Sequence, residues 1–170
     1  MDPARSSLTG HLISLPGTAR RRTIVSGMTD SIDDTLGADH ERLHLLLRRL
    51  QEWPSRGNLD GLERGLGPHM VWEEKVLFPA VRALLNAAQK KSLESLEIDH
   101  ERLRETLASI RVALEAVDLP LARQRIDLLA GYVEGHNADE ERGVYVEADR
   151  LLDSAQRTLL LDSFRTGPPS

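Results

Sequence analysis

"ADHERLHLLL", residues 38–47, returns as "IDHERLRETL" at 98–107. A second pair alternates with the first. "PHMVWEEKVLFP" at 68–79 and "GHNADEERGVYV" at 135–146 share H-x-x-x-E-E. The chain thus reads DHERL, HxxxEE, DHERL, HxxxEE, an order that hydrophobic periodicity alone does not require.

Each segment sits in a stripe of helical spacing. Leu36, His40, Leu43, Leu47 and Leu50 form the first stripe. Leu62, Leu66, His69, Glu73, Val76 and Ala80 form the second. Leu93, Leu96, His100, Leu103, Leu107 and Ile110 form the third, and Ile126, Leu129, Val133, His136, Glu140 and Val144 the fourth. No alternating run suggests a strand. Four helices are expected. The first opens at a Ser31/Asp34 capping box and closes at Trp53-Pro54. The second spans about 59–85 and is bent or broken near Gly65, Gly67-Pro68 and Pro79. The third spans about 88–117, and the fourth about 121–152 after "DLP". A short fifth helix at about 154–164 is expected to follow.

Residues equidistant from a hairpin turn face each other. The midpoint of His40 and His69 falls at Pro54-Ser55. That of His69 and His100 falls at Leu84-Leu85, and that of His100 and His136 at Asp118. All three lie in or near expected turns. An all-α, up-down-up-down antiparallel four-helix bundle would gather the four His, Glu73 and Glu140 into one layer.

Two ionised Glu in one apolar layer repel each other and cost several kcal/mol, on the order expected for unpaired buried charge. No Lys or Arg occupies the stripes. A cation resolves the conflict. The chain has no Cys, so the ligands are nitrogen and oxygen, a set suited to iron, zinc, manganese or copper. Two carboxylates with His on both sides favour two ions.

The combined motif, including Leu77-Phe78-Pro79, resembles the hemerythrin-like, or HHE cation-binding, family over about residues 31–152. The resemblance implies a four-helix bundle around two Fe ions bridged by oxo or hydroxo, with Zn or Mn as possible substitutes. It implies His40, His69, Glu73, His100, His136 and Glu140 as ligands. Glu73 and Glu140 would bridge, with His40 and His69 on one iron and His100 and His136 on the other. Oxygen-carrying members have a further His one turn before that on the third helix. Here Leu96 stands there, with Arg104 one turn after it. Fewer His donors weaken oxygen carriage and favour sensing of oxygen or nitric oxide, peroxide handling, or iron holding. The expected small ligand is therefore a diatomic gas or peroxide. A binding or sensing role is expected ahead of an enzymatic one, and an enzyme of this kind would consume peroxide in a catalase-like reaction.

Several positions stay open. His44 is either a substitute donor or a polar residue at the layer's edge. Tyr132 is either a neighbour of the site or a core residue. Glu141 competes with Glu140 as the bridge. Asp39 and Asp99 are either acceptors for ring N–H groups or surface ion-pair members. Asp139, Glu74 and Glu141 read as mostly solvated charges.

His40-Glu41-Arg42-Leu43-His44 also spells the H-E-x-x-H of zinc proteases. Its second His is missing from the repeat. Glu63 is only a loosely spaced third ligand, and no strand is available to hold a peptide. A ferritin-like reading needs Glu-x-x-His twice; Glu97-x-x-His100 supplies it once, and Gly37 stands where the second Glu should be. A metal-free helical interaction module is the remaining alternative.

Residues 1–30 carry Arg5, Arg20, Arg21 and Arg22 against Asp2 and Asp30, within a 170-residue chain of net charge −5. They read as a flexible basic arm, or as an over-long start upstream of Met28. The domain is expected over 31–165 and a frayed tail over 166–170. The net charge disfavours nucleic acid. No run suits a membrane span or a signal peptide, and the absence of Cys fits a cytoplasmic location.

Overall fold

The computed structural model describes residues 31–167. The basic arm expected over 1–30, and the last residues of the expected tail, lie outside the described residues. Among the described residues the chain is helical and contains no strand. Its α-helices are α1 (Ile32–Glu52), α2 (Arg56–Trp72), α3 (Phe78–Arg82), α4 (Ala87–Glu115), α5 (Leu119–Arg142), α6 (Val144–Leu151) and α7 (Ser154–Thr166). A π-helical segment, Glu73–Leu77, joins α2 to α3.

Local chemistry sets the ends. Ser31 caps α1 by accepting from Asp34 N, with Asp33 and Asp34 in the first turn. The Asp149 carboxylate accepts from Ser31 Oγ and from the backbone N–H of Ile32 and Asp33, which pins the start of α1 to α6. Ser55 caps α2. Asn86 and Asp153 form capping boxes with Gln89 and Gln156 at α4 and α7. Asp118 caps α5, in which Pro120 stands at the second helical position and needs no N–H partner.

Two interruptions matter for the site. Pro79 has no N–H for Lys75 O, and its ring would press on that carbonyl. The turn widens instead, and Phe78 N–H reaches back five residues to Glu73 O. The break expected in the second helix therefore falls at Glu73–Leu77 rather than at Gly67-Pro68. It inserts one residue and shifts the stripe. Leu77 and Val81 are buried, while Val76 and Ala80 of the expected stripe are only partly so. The second interruption corrects the expectation of one helix over 121–152. Gly143 breaks it at φ −118°, ψ −97°, and a Cβ there would stand 2.7 Å from Asp139 O.

Helix α1 packs on α2 and α5, α2 on α4, and α4 on α5, which closes a ring of contacts in a helical bundle. Gly65 allows the close approach of α1 and α2, since a Cβ there would meet Leu43 Cδ2 at 2.8 Å. The apolar interior is in two parts. One contains Leu43, Leu47, Leu62, Leu66, Leu103, Leu107, Leu129 and Val133. The other contains Leu36, Trp72, Leu77, Phe78, Leu93, Leu96, Val144 and Tyr145. In every stripe the predicted His falls between a member of one part and a member of the other. A polar layer thus separates two oily compartments. The fifth helix, α7, closes the second compartment with Leu161 and the partly buried Leu160 and Phe164. Among the described residues no helix is long and apolar enough to cross a membrane.

Candidate metal centre

Helix α1 supplies His40, α2 His69, the π segment Glu73, α4 His100, and α5 His136 and Glu140. All six are buried, with Glu73, His100 and Glu140 wholly excluded from solvent. The structure brings every one of these sequence-predicted residues together. They form two sets, each with its candidate ligand atoms within 4.8 Å of one another: His40, His69, Glu73 and Glu140, then Glu73, His100, His136 and Glu140. The two carboxylates belong to both.

The distances are those of converging donors. His40 Nε2 and His69 Nε2 are 3.2 Å apart, and His100 Nε2 and His136 Nε2 are 3.0 Å apart. Glu73 Oε2 lies 3.4 Å from both His69 Nε2 and His100 Nε2. Glu140 reaches His40 Nε2 with Oε2 at 3.3 Å and His136 Nε2 with Oε1 at 3.1 Å. Two ligand atoms each about 2.1 Å from one ion and at a right angle are themselves about 3 Å apart.

The outer ring nitrogens decide what these contacts mean. His40 Nδ1 donates to Glu141 Oε1, His69 Nδ1 to Asp39 Oδ2, and His100 Nδ1 to Glu74 Oε1, each at 2.9 Å. An ionised carboxylate only accepts, so each Nδ1 keeps its proton and each Nε2 turns its lone pair inward. The interior then holds lone pairs facing lone pairs. Glu73 Oε2 and Glu140 Oε1 are buried without a hydrogen-bond partner. Cations at the two sets would satisfy all of these atoms at once, so the residues present fit a pair of metal ions.

Without a cation, protons must take its place. Burial works against charge on His40, but hydrogen bonding to Glu140, the Glu140 charge and Glu141 raise it to about 8. Burial likewise opposes charge on His136, and the Glu140 carboxylate raises it. Burial disfavours the Glu140 carboxylate too, yet the neighbouring His136 and His40 hold it well below the usual range. Asp39 is held at about 2, because hydrogen bonds from His69 and Arg42 outweigh its partial burial.

Some sequence expectations are corrected, and alternatives left open by the sequence are resolved. Glu74 and Glu141 are not merely solvated charges; each accepts from a ring N–H. Asp39 does so as well, whereas Asp99 pairs with Arg102. His136 Nδ1, which the repeat would give to Asp99, is buried without a hydrogen-bond partner. Glu140 is the buried carboxylate of the pair, and the side chain of Glu141 is 44% exposed. His44 stays outside both sets and accepts from Asn137 Nδ2 at 3.4 Å. Glu41 is exposed on α1. Tyr132 is neither a core residue nor a neighbour of the site, being 42% exposed.

The tyrosine at the site is Tyr145, which sequence reasoning missed. Its hydroxyl donates to Glu73 Oε1 and lies 3.2 Å from Glu140 Oε2 and 3.1 Å from His40 Nε2. Burial, followed by the Glu140 and Glu73 charges, pushes it well above its ordinary range. The signal was present in Gly143, which breaks the helix and resets the face on which Tyr145 falls.

A family model described as the Hemerythrin HHE cation binding domain matches residues 31–148. Comparisons with curated proteins and with solved structures give no match.

Proposed function

The chain belongs to the hemerythrin HHE cation-binding family, and we propose that its helices form an up-down-up-down four-helix bundle around a non-haem di-iron centre. One observation carries the number of ions: two four-residue sets share both of their carboxylates. His40 and His69 would hold one iron, and His100 and His136 the other. Glu73 and Glu140 would bridge them, with an oxo or hydroxo group completing the link. A bound iron pair supplies one- and two-electron chemistry towards oxygen, peroxide or nitric oxide.

The chain's own residues prepare that chemistry. Asp39, Glu74 and Glu141 orient three rings and make them better donors. The two apolar compartments exclude water on either side. Leu96 is buried in the position where oxygen carriers of the family have a further His, so it offers no donor. Arg104, one turn after His100, turns outward to Glu74. An ion pair with four His in total keeps more positions for an exogenous ligand. We therefore favour sensing, peroxide defence or iron holding over reversible oxygen carriage.

Metal analysis with an absorption spectrum tests this reading. Protein expressed with iron supplied should hold about two irons per chain and absorb in the near ultraviolet through oxo-to-iron charge transfer. His69→Ala and Glu73→Ala should each lose metal. A chain that takes up neither iron nor another transition metal would sink the proposal, and a metal-free interaction module would replace it.

A further inference from the structure

The two halves of the chain repeat each other, and they differ at the metal cage. Phe78 follows Glu73 by five residues and Tyr145 follows Glu140 by five. Both lie just after an interruption in their helix, and both place a ring on a histidine. Phe78 stacks on His100 with ring centres 5.8 Å apart, and Tyr145 lies against His40 at 5.5 Å. Only Tyr145 carries an oxygen. That oxygen is within hydrogen-bond reach of Glu73 Oε1, Glu140 Oε2 and His40 Nε2, three of the four donors of the first set. The residue is wholly buried, so the hydroxyl has no role in surface packing.

A second difference runs the same way. His69 Nδ1 is anchored by Asp39, whereas its counterpart His136 Nδ1 has no hydrogen-bond partner. The first set is therefore the better-built of the two.

From this geometry we propose that Tyr145 Oη is a fifth protein donor to the cation held by His40, His69, Glu73 and Glu140, and that the cation on His100 and His136 has none. The proposal rests on the di-iron reading above. When the ion binds, the phenol O–H bond breaks and an oxygen–metal bond forms from the oxygen's electron pair. The proton, which points at Glu73 Oε1, leaves to solvent. No electron is transferred. The two metal positions become unequal: one has five protein donors including a phenolate, and the other has four and is the one that accepts an exogenous ligand.

Phenolate bound to ferric iron gives a visible charge-transfer band, and Raman excitation into that band enhances tyrosine ring modes. The iron-loaded full chain should show both, with one such tyrosinate for two irons. Tyr145→Phe retains the ring against His40 and removes only the oxygen, and should lose the band while keeping bound iron. The chain has two tyrosines, so Tyr132→Phe, at an exposed site on α5, should leave the band intact. Should Tyr145→Phe fold poorly, ring-deuterated tyrosine in the Tyr132→Phe chain answers the same question, because Tyr145 is then the one labelled ring and the enhanced modes must shift. Two irons per chain without a tyrosinate band, or a band that survives Tyr145→Phe, would overturn this assignment and leave the di-iron reading standing. A chain without iron would remove both.

Discussion

At the residue scale the site is decided by which nitrogen of each ring faces inward, and three carboxylates make that choice. Asp39 is the most instructive because the repeat supplies its own control. Asp39→Asn replaces an acceptor by a group that must be turned to accept, and it removes the charge that strengthens His69. Metal affinity should fall by about 10–100-fold, a usual cost for such outer partners. Asp99→Asn should change it little, since Asp99 bonds Arg102 rather than His136. Competition with a chromogenic chelator reads both, and equal losses would contradict the asymmetry. Protons compete for the same inward nitrogens. In the metal-free chain His40 is raised from 6.5 to about 8. Its contribution to folding is therefore complete below about 6.5 and is lost as pH rises through about 8. Metal binding has the opposite dependence, because the ion needs the neutral ring. Affinity should climb as pH rises towards about 8 and level off above it. A flat titration across that window would show that His40 does not exchange a proton for the metal. The six inward residues were legible in the sequence because each interrupts an apolar stripe with a group that burial penalises. The outer carboxylates were not, since a Glu beside a buried Glu looks like any surface charge until the rotation of the helix is known.

At the element scale, the repeat and the periodicity located every long helix, and their failures occur where the backbone departs from 3.6 residues per turn. The stripe ran true through Glu73, then slipped by one residue across the π segment and exchanged Val76 and Ala80 for Leu77 and Val81. Pro79 signalled a break but not its width. Gly143 passed as an ordinary interior residue, and with it went the placement of Tyr145. Both irregularities lie within five residues of a carboxylate shared by the two four-residue sets, where they re-aim an aromatic ring onto a histidine. Gly143→Ala tests how far the site depends on this geometry. The new Cβ would meet a backbone carbonyl at 2.7 Å, which cannot yield as a side-chain end can. Stability should fall by about 1–3 kcal/mol, the range for overpacking, and bound metal should fall with it. Gly135→Ala, on the same helix with open space around it, should be neutral or stabilise by up to about 1 kcal/mol. Denaturant midpoints of the two variants give the comparison, and similar midpoints would show that the break at Gly143 is not required.

At the scale of the whole molecule the cage is held between two oily compartments, and they are closed differently. The compartment around Leu47, Leu62 and Ile126 is built entirely from α1, α2, α4 and α5. The other needs α7, a helix that contributes nothing to either four-residue set. Trp72 Nε1 donates to Ser163 Oγ at 2.8 Å, and the Phe164 ring meets Trp72 edge-on at 5.1 Å and His69 at 6.3 Å. Helix α7 therefore covers the His69 side of the site, and its amphipathic pattern gave the sequence no means to say so. The covering makes a prediction that separates holding the metal from admitting solvent to it. Phe164→Ala removes the ring over His69 but leaves all six inward side chains and their outer carboxylates in place. Because Phe164 is only partly buried, the loss of stability should be below the 3–5 kcal/mol, roughly, of a fully buried Phe→Ala. Metal content after purification should be close to that of the unmutated chain, since no donor is lost. Release of metal to excess chelator should be faster, because water and chelator reach His69 without waiting for α7 to open. Release at the unmutated rate would mean that exchange proceeds from the opposite side of the layer, past His100 and His136, where the repeat leaves one ring unanchored.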